Sequence, residues 1–207
     1  MEYLLIAFVW LLNFGISAWN AYATGKNWPH TKRMGGFSHF MTWMGFLMSG
    51  CGFSWCFLIP LALLAYVNQW LGFSAQHLTV CVNLGYILLA PIIVFAGLLI
   101  WIDSLIQAYK ERTFSSMAVA GWNTYAQLSN MYDVYQNFGG AFGNVKDFFT
   151  SSLDSDDDDP KTKLVILVVV LVLASIVGGF LLTTAIVTKV ARNEAKQFKT
   201  EMRERIK

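Results

Sequence analysis

The side chains in this chain best suited by type to metal or acid–base chemistry do not stand at the spacings that such chemistry uses. Cys51 and Cys56 in "CGFSWC" lie too far apart for a CxxC metal clip. His30, His39 and His77 are isolated from one another, and none belongs to an HExxH pattern. The aspartates of "SSLDSDDDDPK" are the densest cluster of ligand-type residues. They lack the spaced ligands and central glycine of a calcium-binding loop, so the run reads as a solvated linker ahead of Pro160. No Ser-His-Asp arrangement, phosphate-cradling glycine loop or carboxylate pair appears. The chain is therefore expected to hold no catalytic, cofactor-binding or metal residues and not to be an enzyme.

Uncharged polar residues inside apolar sequence are more informative. Asn13, Ser17, Asn20 and Thr24 fall on one helix face, at spacings of four, three and four. Within lipid such groups must meet partners or water. They read either as a hydrogen-bonded seam or as a polar path, with Asn83 as a candidate partner. Asp103, followed by Gln107 and Lys110 at helical spacing, is expected at the interface. Small residues four apart permit close helix contact. Gly45 with Ser49, Gly50 with Ser54, Ala174 with Gly178, and Ser175 with Gly179 are such pairs. They are candidates for packing within one bundle or for contacts in a homo-oligomer.

The elements that position these residues follow from composition. With 56% hydrophobic and 14% charged residues, the chain falls well below the roughly 25% charge of a soluble domain. Its net charge of +2 indicates no nucleic-acid footprint. Three cysteines, all in apolar sequence, argue against a disulfide framework. Four stretches, at about 3–22, 40–67, 78–108 and 164–188, reach the roughly 20 residues that a helix needs to cross hydrocarbon. Trp and Tyr cluster near their ends, as interfacial residues do. The start "MEYLL" has no basic region, so the first stretch is expected to be a retained anchor rather than a cleaved signal. The expected fold is an all-α integral membrane protein with four transmembrane helices. Its parts are a three-helix transmembrane region (1–112), an amphipathic helix (113–150), an acidic linker (151–163), a fourth span (164–188) and a basic helical tail (189–207). In that tail Ala191, Ala195, Phe198 and Met202 form a narrow apolar seam.

The stretch "FSSMAVAGWNTYAQLSNMYDVYQNFGGAFG" is too polar for an ordinary span, yet Asp133 is its only charge. Spacing predicts an amphipathic helix over 115–138, with Met117, Gly121, Thr124, Leu128, Met131, Tyr135 and Phe138 on one face, ended by Gly139 and Gly140. Its polar faces and aromatic rings suit a helix lying at the interface or packed beneath the bundle; the alternatives are a fifth crossing, if neighbours or water shield it, and an unstructured or wholly soluble segment. For four crossings the basic flanks balance. Lys26, Lys32, Arg33, Lys110, Arg112, Lys161 and Lys163 oppose Lys189, Arg192, Lys196, Lys199, Arg203, Arg205 and Lys207, so the positive-inside rule gives no orientation. A fifth crossing would break the tie.

At "NFGISAWNAYATGKNW", "GGFSHFMTWMGFLMSGCGFSWC" and "AVAGWNTYAQLSNMY" the chain resembles an uncharacterised family of small bacterial membrane proteins. The resemblance implies a bacterial inner membrane and no particular activity, cofactor or catalytic residue. The expected function is that of a non-enzymatic homo-oligomer in the lipid bilayer, forming a channel or pore-like assembly. The alternative is a membrane-anchored scaffold or sensor that recruits a soluble protein partner through the 115–138 helix and the tail.

Overall fold

Long apolar runs broken by turns at Gly35, at residues 68–74 and at residues 112–113 fold back on one another as antiparallel helices. The computed structural model describes residues 2–153 and 160–206, and the acidic run at 154–159 lies outside them. Five α-helices follow in order: α1 (Glu2–Met34), α2 (Gly36–Val67), α3 (Ala75–Glu111), α4 (Phe114–Leu153) and α5 (Pro160–Ile206), with a 3₁₀ turn at Trp70–Gly72. There is no strand among the described residues.

The turns dictate the topology. Gly35 and Gly36 take φ of 64° and 58°, a region costly for any residue with a Cβ, and fold α2 back along α1. Arg112 (φ 51°) and Thr113 alone join α3 to α4. A connection that short forces neighbouring antiparallel helices. Thr113 and Ser116 cap the new helix reciprocally: the Ser116 backbone N–H donates to Thr113 Oγ1 at 3.1 Å, and the Thr113 N–H to Ser116 Oγ at 3.3 Å. At the other end of α3, the Ser74 N–H donates to His77 Nδ1 at 3.0 Å, which closes a capping box.

Three helices are long and apolar enough to cross a membrane: α2, α3 and the 161–202 part of α5. α1 does not reach that measure over its described residues. Two cores hold the helices together. The larger joins α2, α3, α4 and α5 through Leu58, Phe73, Val80, Cys81, Val145, Phe148, Val168 and Val172. The smaller joins α1, α2 and α5 around Ala21, Phe53 and Val187.

Two expectations for the 115–138 helix need correction. Gly139 and Gly140 do not end α4, which runs on to Leu153. Ala141, Val145 and Phe148 bury their side chains beyond the glycines, and that burial outweighs the roughly 1 kcal/mol that each glycine costs a helix. Nor does α4 lie across the end of the bundle. It runs lengthwise along α3, because its inward stripe (Ala120, Thr124, Gln127, Val134, Phe138, Ala141, Val145, Phe148) finds partners down the whole of that helix. Leu128, Met131 and Tyr135, read from sequence as part of an apolar face, are exposed. The fourth span and the tail are one continuous helix, α5.

Candidate functional site

The polar face of α1 meets small residues of α2. Asn13 Nδ2 donates to the Gly52 carbonyl at 3.2 Å and lies 3.3 Å from Cys56 Sγ. Ser49 Oγ donates to the Ser17 carbonyl at 2.7 Å. Trp10 Nε1 donates to the Cys56 carbonyl at 3.0 Å, and Thr42 Oγ1 to Thr31 Oγ1 at 2.9 Å. A Cβ at Gly52 would collide with Ser17 Oγ, and one at Gly45 would stand 2.7 Å from Thr24 Oγ1. Ser17 and Thr24 are buried, and Asn20 is half-buried. Asn83 is half-buried on α3, which makes no substantial contact with α1 among the described residues. Cys51, Cys56 and Cys81 are buried and unbridged.

The second small-residue surface joins α2 to α5. Ser54 Oγ donates to the Gly50 carbonyl at 2.7 Å and reaches the Ile176 carbonyl at 3.4 Å. A Cβ on Gly179 would collide with the Ser54 backbone, and one on Gly50 would run into the Phe180 ring. Ser175 is buried and bonded to the Leu171 carbonyl. A Cβ on Gly178 would stand 3.5 Å from the Phe57 ring, whereas Ala174 is exposed. Of the small-residue pairs, Gly45, Ser49, Gly50, Ser54, Ser175 and Gly179 are thus all engaged inside the monomer.

The α3–α4 contact differs in kind. Its polar pairs run antiparallel down both helices. Trp101 Nε1 donates to Thr124 Oγ1 at 2.8 Å, Gln127 Nε2 to the Val94 carbonyl at 3.0 Å, and Tyr86 O–H to Asp133 Oδ2 at 2.7 Å. His77 then packs against Phe148, ring centroids 5.6 Å apart. Asn137 Nδ2 donates to the other Asp133 oxygen at 2.7 Å. Asp133 therefore accepts from two neutral donors and has no cation beside it among the described residues. Tyr86 is eleven residues into α3, about 17 Å from its start, so the carboxylate sits well within the apolar length of that helix. It is also exposed, in a small and polar stripe of Ser129, Asp133, Asn137, Gly140 and Asn144, all of them uncovered. Trp122, Tyr125, Tyr132 and Tyr135 expose their rings around it.

Sequence reading did not find this site. In sequence Asp133 is only a lone charge, and Tyr86, 47 positions away, shares no local pattern with it. The readable signal was the stripe itself, at spacings of four, four, three and four.

No group of three or more potential metal ligands occurs among the described residues. No protein-family model, curated protein or solved structure matches the chain. What the fold defines is a class: an all-α protein with helices fit to cross a membrane.

Proposed function

We propose that this chain is a non-enzymatic, homo-oligomeric membrane protein in which all five helices cross the bilayer and the outward stripe of α4 borders a polar path between copies. The observation that carries the reading is Asp133 of α4, exposed beside the middle of α3 and held by Tyr86 and Asn137. An aspartate facing acyl chains near mid-bilayer costs about 2.5–3.5 kcal/mol. Neighbouring copies or water relieve that cost. The amides of the stripe both donate and accept, so the same face on a second copy supplies their partners.

Charge placement supports five crossings. The turn at Gly35, the turn at Arg112 and the tail of α5 gather at one end of the bundle, where Arg33 and His30 pack on Phe198. In the described segments only Lys146, Lys161 and Lys163 belong to the other end. The positive-inside rule puts the basic end in the cytoplasm, consistent with a bacterial inner membrane. α1 crosses in this reading because its polar face is spent on α2.

Labelling Ser115→Cys and Thr150→Cys in intact cells tests the crossing: the two should react from opposite faces, and labelling from one face overturns it. For the path, a ring of carboxylates favours cations. Liposomes holding verified oligomers should pass cations, and Asp133→Asn should reduce that flux several-fold; silence across voltages and ions would count against a pore. The clasp of Phe198 on α1 favours a second reading, in which the tail presents a rigid surface to a soluble partner.

A further inference from the structure

α5 leaves its apolar run at Thr188 and continues as a helix carrying lysine and arginine. One face packs on α1, where Gly25 meets Val187 and Val190. On another face α5 alone forms a shallow, open surface groove that runs from Leu181 to Lys196. Its first part is Leu181, Thr184 and Ala185; its last is Lys189, Arg192 and Lys196. All six are exposed, and no acidic side chain lines the groove. The three cations recur at spacings of three and four, one above another on the helix. From Leu181 to Lys196 the groove spans about 22 Å, so it begins beside hydrocarbon and ends in the headgroup layer.

We propose that this groove is a binding site for an anionic phospholipid, with the headgroup phosphate held by Lys189, Arg192 and Lys196 and an acyl chain lying along Leu181 and Ala185. The geometry selects an amphipathic occupant. A free phosphate would use the cationic part and leave the apolar part without purpose. The site requires only that α5 cross the membrane, and it stands whether or not α4 does.

The full-length protein in mixed phosphatidylcholine and phosphatidylglycerol bilayers provides the test, read as the ratio of the two lipids retained through purification. Each basic residue near the surface favours an anionic lipid by about fivefold. The K189Q/R192Q/K196Q variant should therefore lose phosphatidylglycerol enrichment by at least about tenfold. The K26Q/K32Q/K110Q variant, which removes equal charge from the same end but on α1 and α3, should keep it. Equal losses in both variants would show diffuse charge attraction and overturn the site. Photoreactive phosphatidylglycerol on the unmodified protein gives a readout that no folding defect can affect: cross-links should fall within 181–196, and cross-links only elsewhere overturn the proposal. Inorganic phosphate is the remaining arm. If it binds the detergent-solubilised protein with the same dependence on the three cations, and no lipid preference is seen, the groove is an anion site and the lipid assignment fails.

Discussion

Along α1, Asn13, Ser17 and Thr24 turn into α2, where Gly45, Ser49 and Gly52 let them approach backbone and side-chain partners closely. Along α4, Ser129, Asp133, Asn137 and Asn144 turn outward, and among them only Asp133, bonded to Asn137 and to Tyr86 of α3, is held. Both faces are built from small and amide residues at helical spacing, so composition does not distinguish them. What differs is the surface opposite. A helix offering glycine and serine exposes its own carbonyls to a neighbour's donors, and the polar groups are then satisfied internally. Where no such helix lies opposite, the same side chains require water or another copy of the chain. In the proposed reading the first face is architecture and the second is the one left for function.

The sharpest way to break the comparison is to fill a glycine on each side. Gly52→Leu drives a side chain into Ser17 of α1. Overpacking of this kind costs about 3 kcal/mol, and more where backbone must move; thermal unfolding in detergent should show a strongly lowered midpoint or no folded bundle. Gly140→Leu, by contrast, meets nothing within 4 Å. Helix propensity favours it by several tenths of a kcal/mol, so the unfolding midpoint should hold or rise. Its effect should fall on assembly instead: cross-linking in membranes should show the oligomer lost while the monomer stays folded. An intact oligomer with Leu at 140 would take the stripe out of the interface.

A smaller effect is expected within the α1–α2 seam. Asn13→Leu removes the bonds to the Gly52 carbonyl and Cys56 Sγ while keeping most of the side-chain volume. Interhelical hydrogen bonds in membranes average about 0.6 kcal/mol, so unfolding should shift by no more than about 1 kcal/mol. Cation flux should not change, since in the proposed reading the path runs along α4. A variant that left stability alone but altered flux would move the polar path from α4 back to α1.

The sequence made some of this legible and hid the rest for identifiable reasons. The spans of α2, α3 and α5 were plain, because twenty apolar residues in a row have few other uses. The small-residue pairs were plain as packing surfaces, but not their allocation. Ser49 serves α1 while Ser54, one and a half turns on, serves α5, and no local pattern distinguishes them. The course of α4 depended on a two-residue turn at Arg112, where a non-glycine residue takes positive φ, and on Tyr86, far away in the chain. Gly139 and Gly140 signal a stop by propensity; the burial of Val145 and Phe148 against Phe73, Val80 and Val168 overrides it. Such long-range burial has no local signature.

The finest test lies where the two kinds of face meet, at Gln127. It is 2% exposed, donates to the Val94 carbonyl at 3.0 Å and fits against Gly97, yet its Oε1 is buried with no partner. Losing a hydrogen bond costs about 0.5–1.5 kcal/mol, while removing an unpaired buried carbonyl recovers about 1–3 kcal/mol. Gln127→Met, similar in length and without polar hydrogens, should therefore leave the unfolding midpoint unchanged or raise it slightly. Gln127→Ala should lower it by about 2 kcal/mol through the cavity left beside Gly97. If methionine proves as damaging as alanine, the amide oxygen is paired after all, by water held between α3 and α4. That contact would then be a closed polar seam like the one between α1 and α2, and the contrast would begin only at the outward stripe.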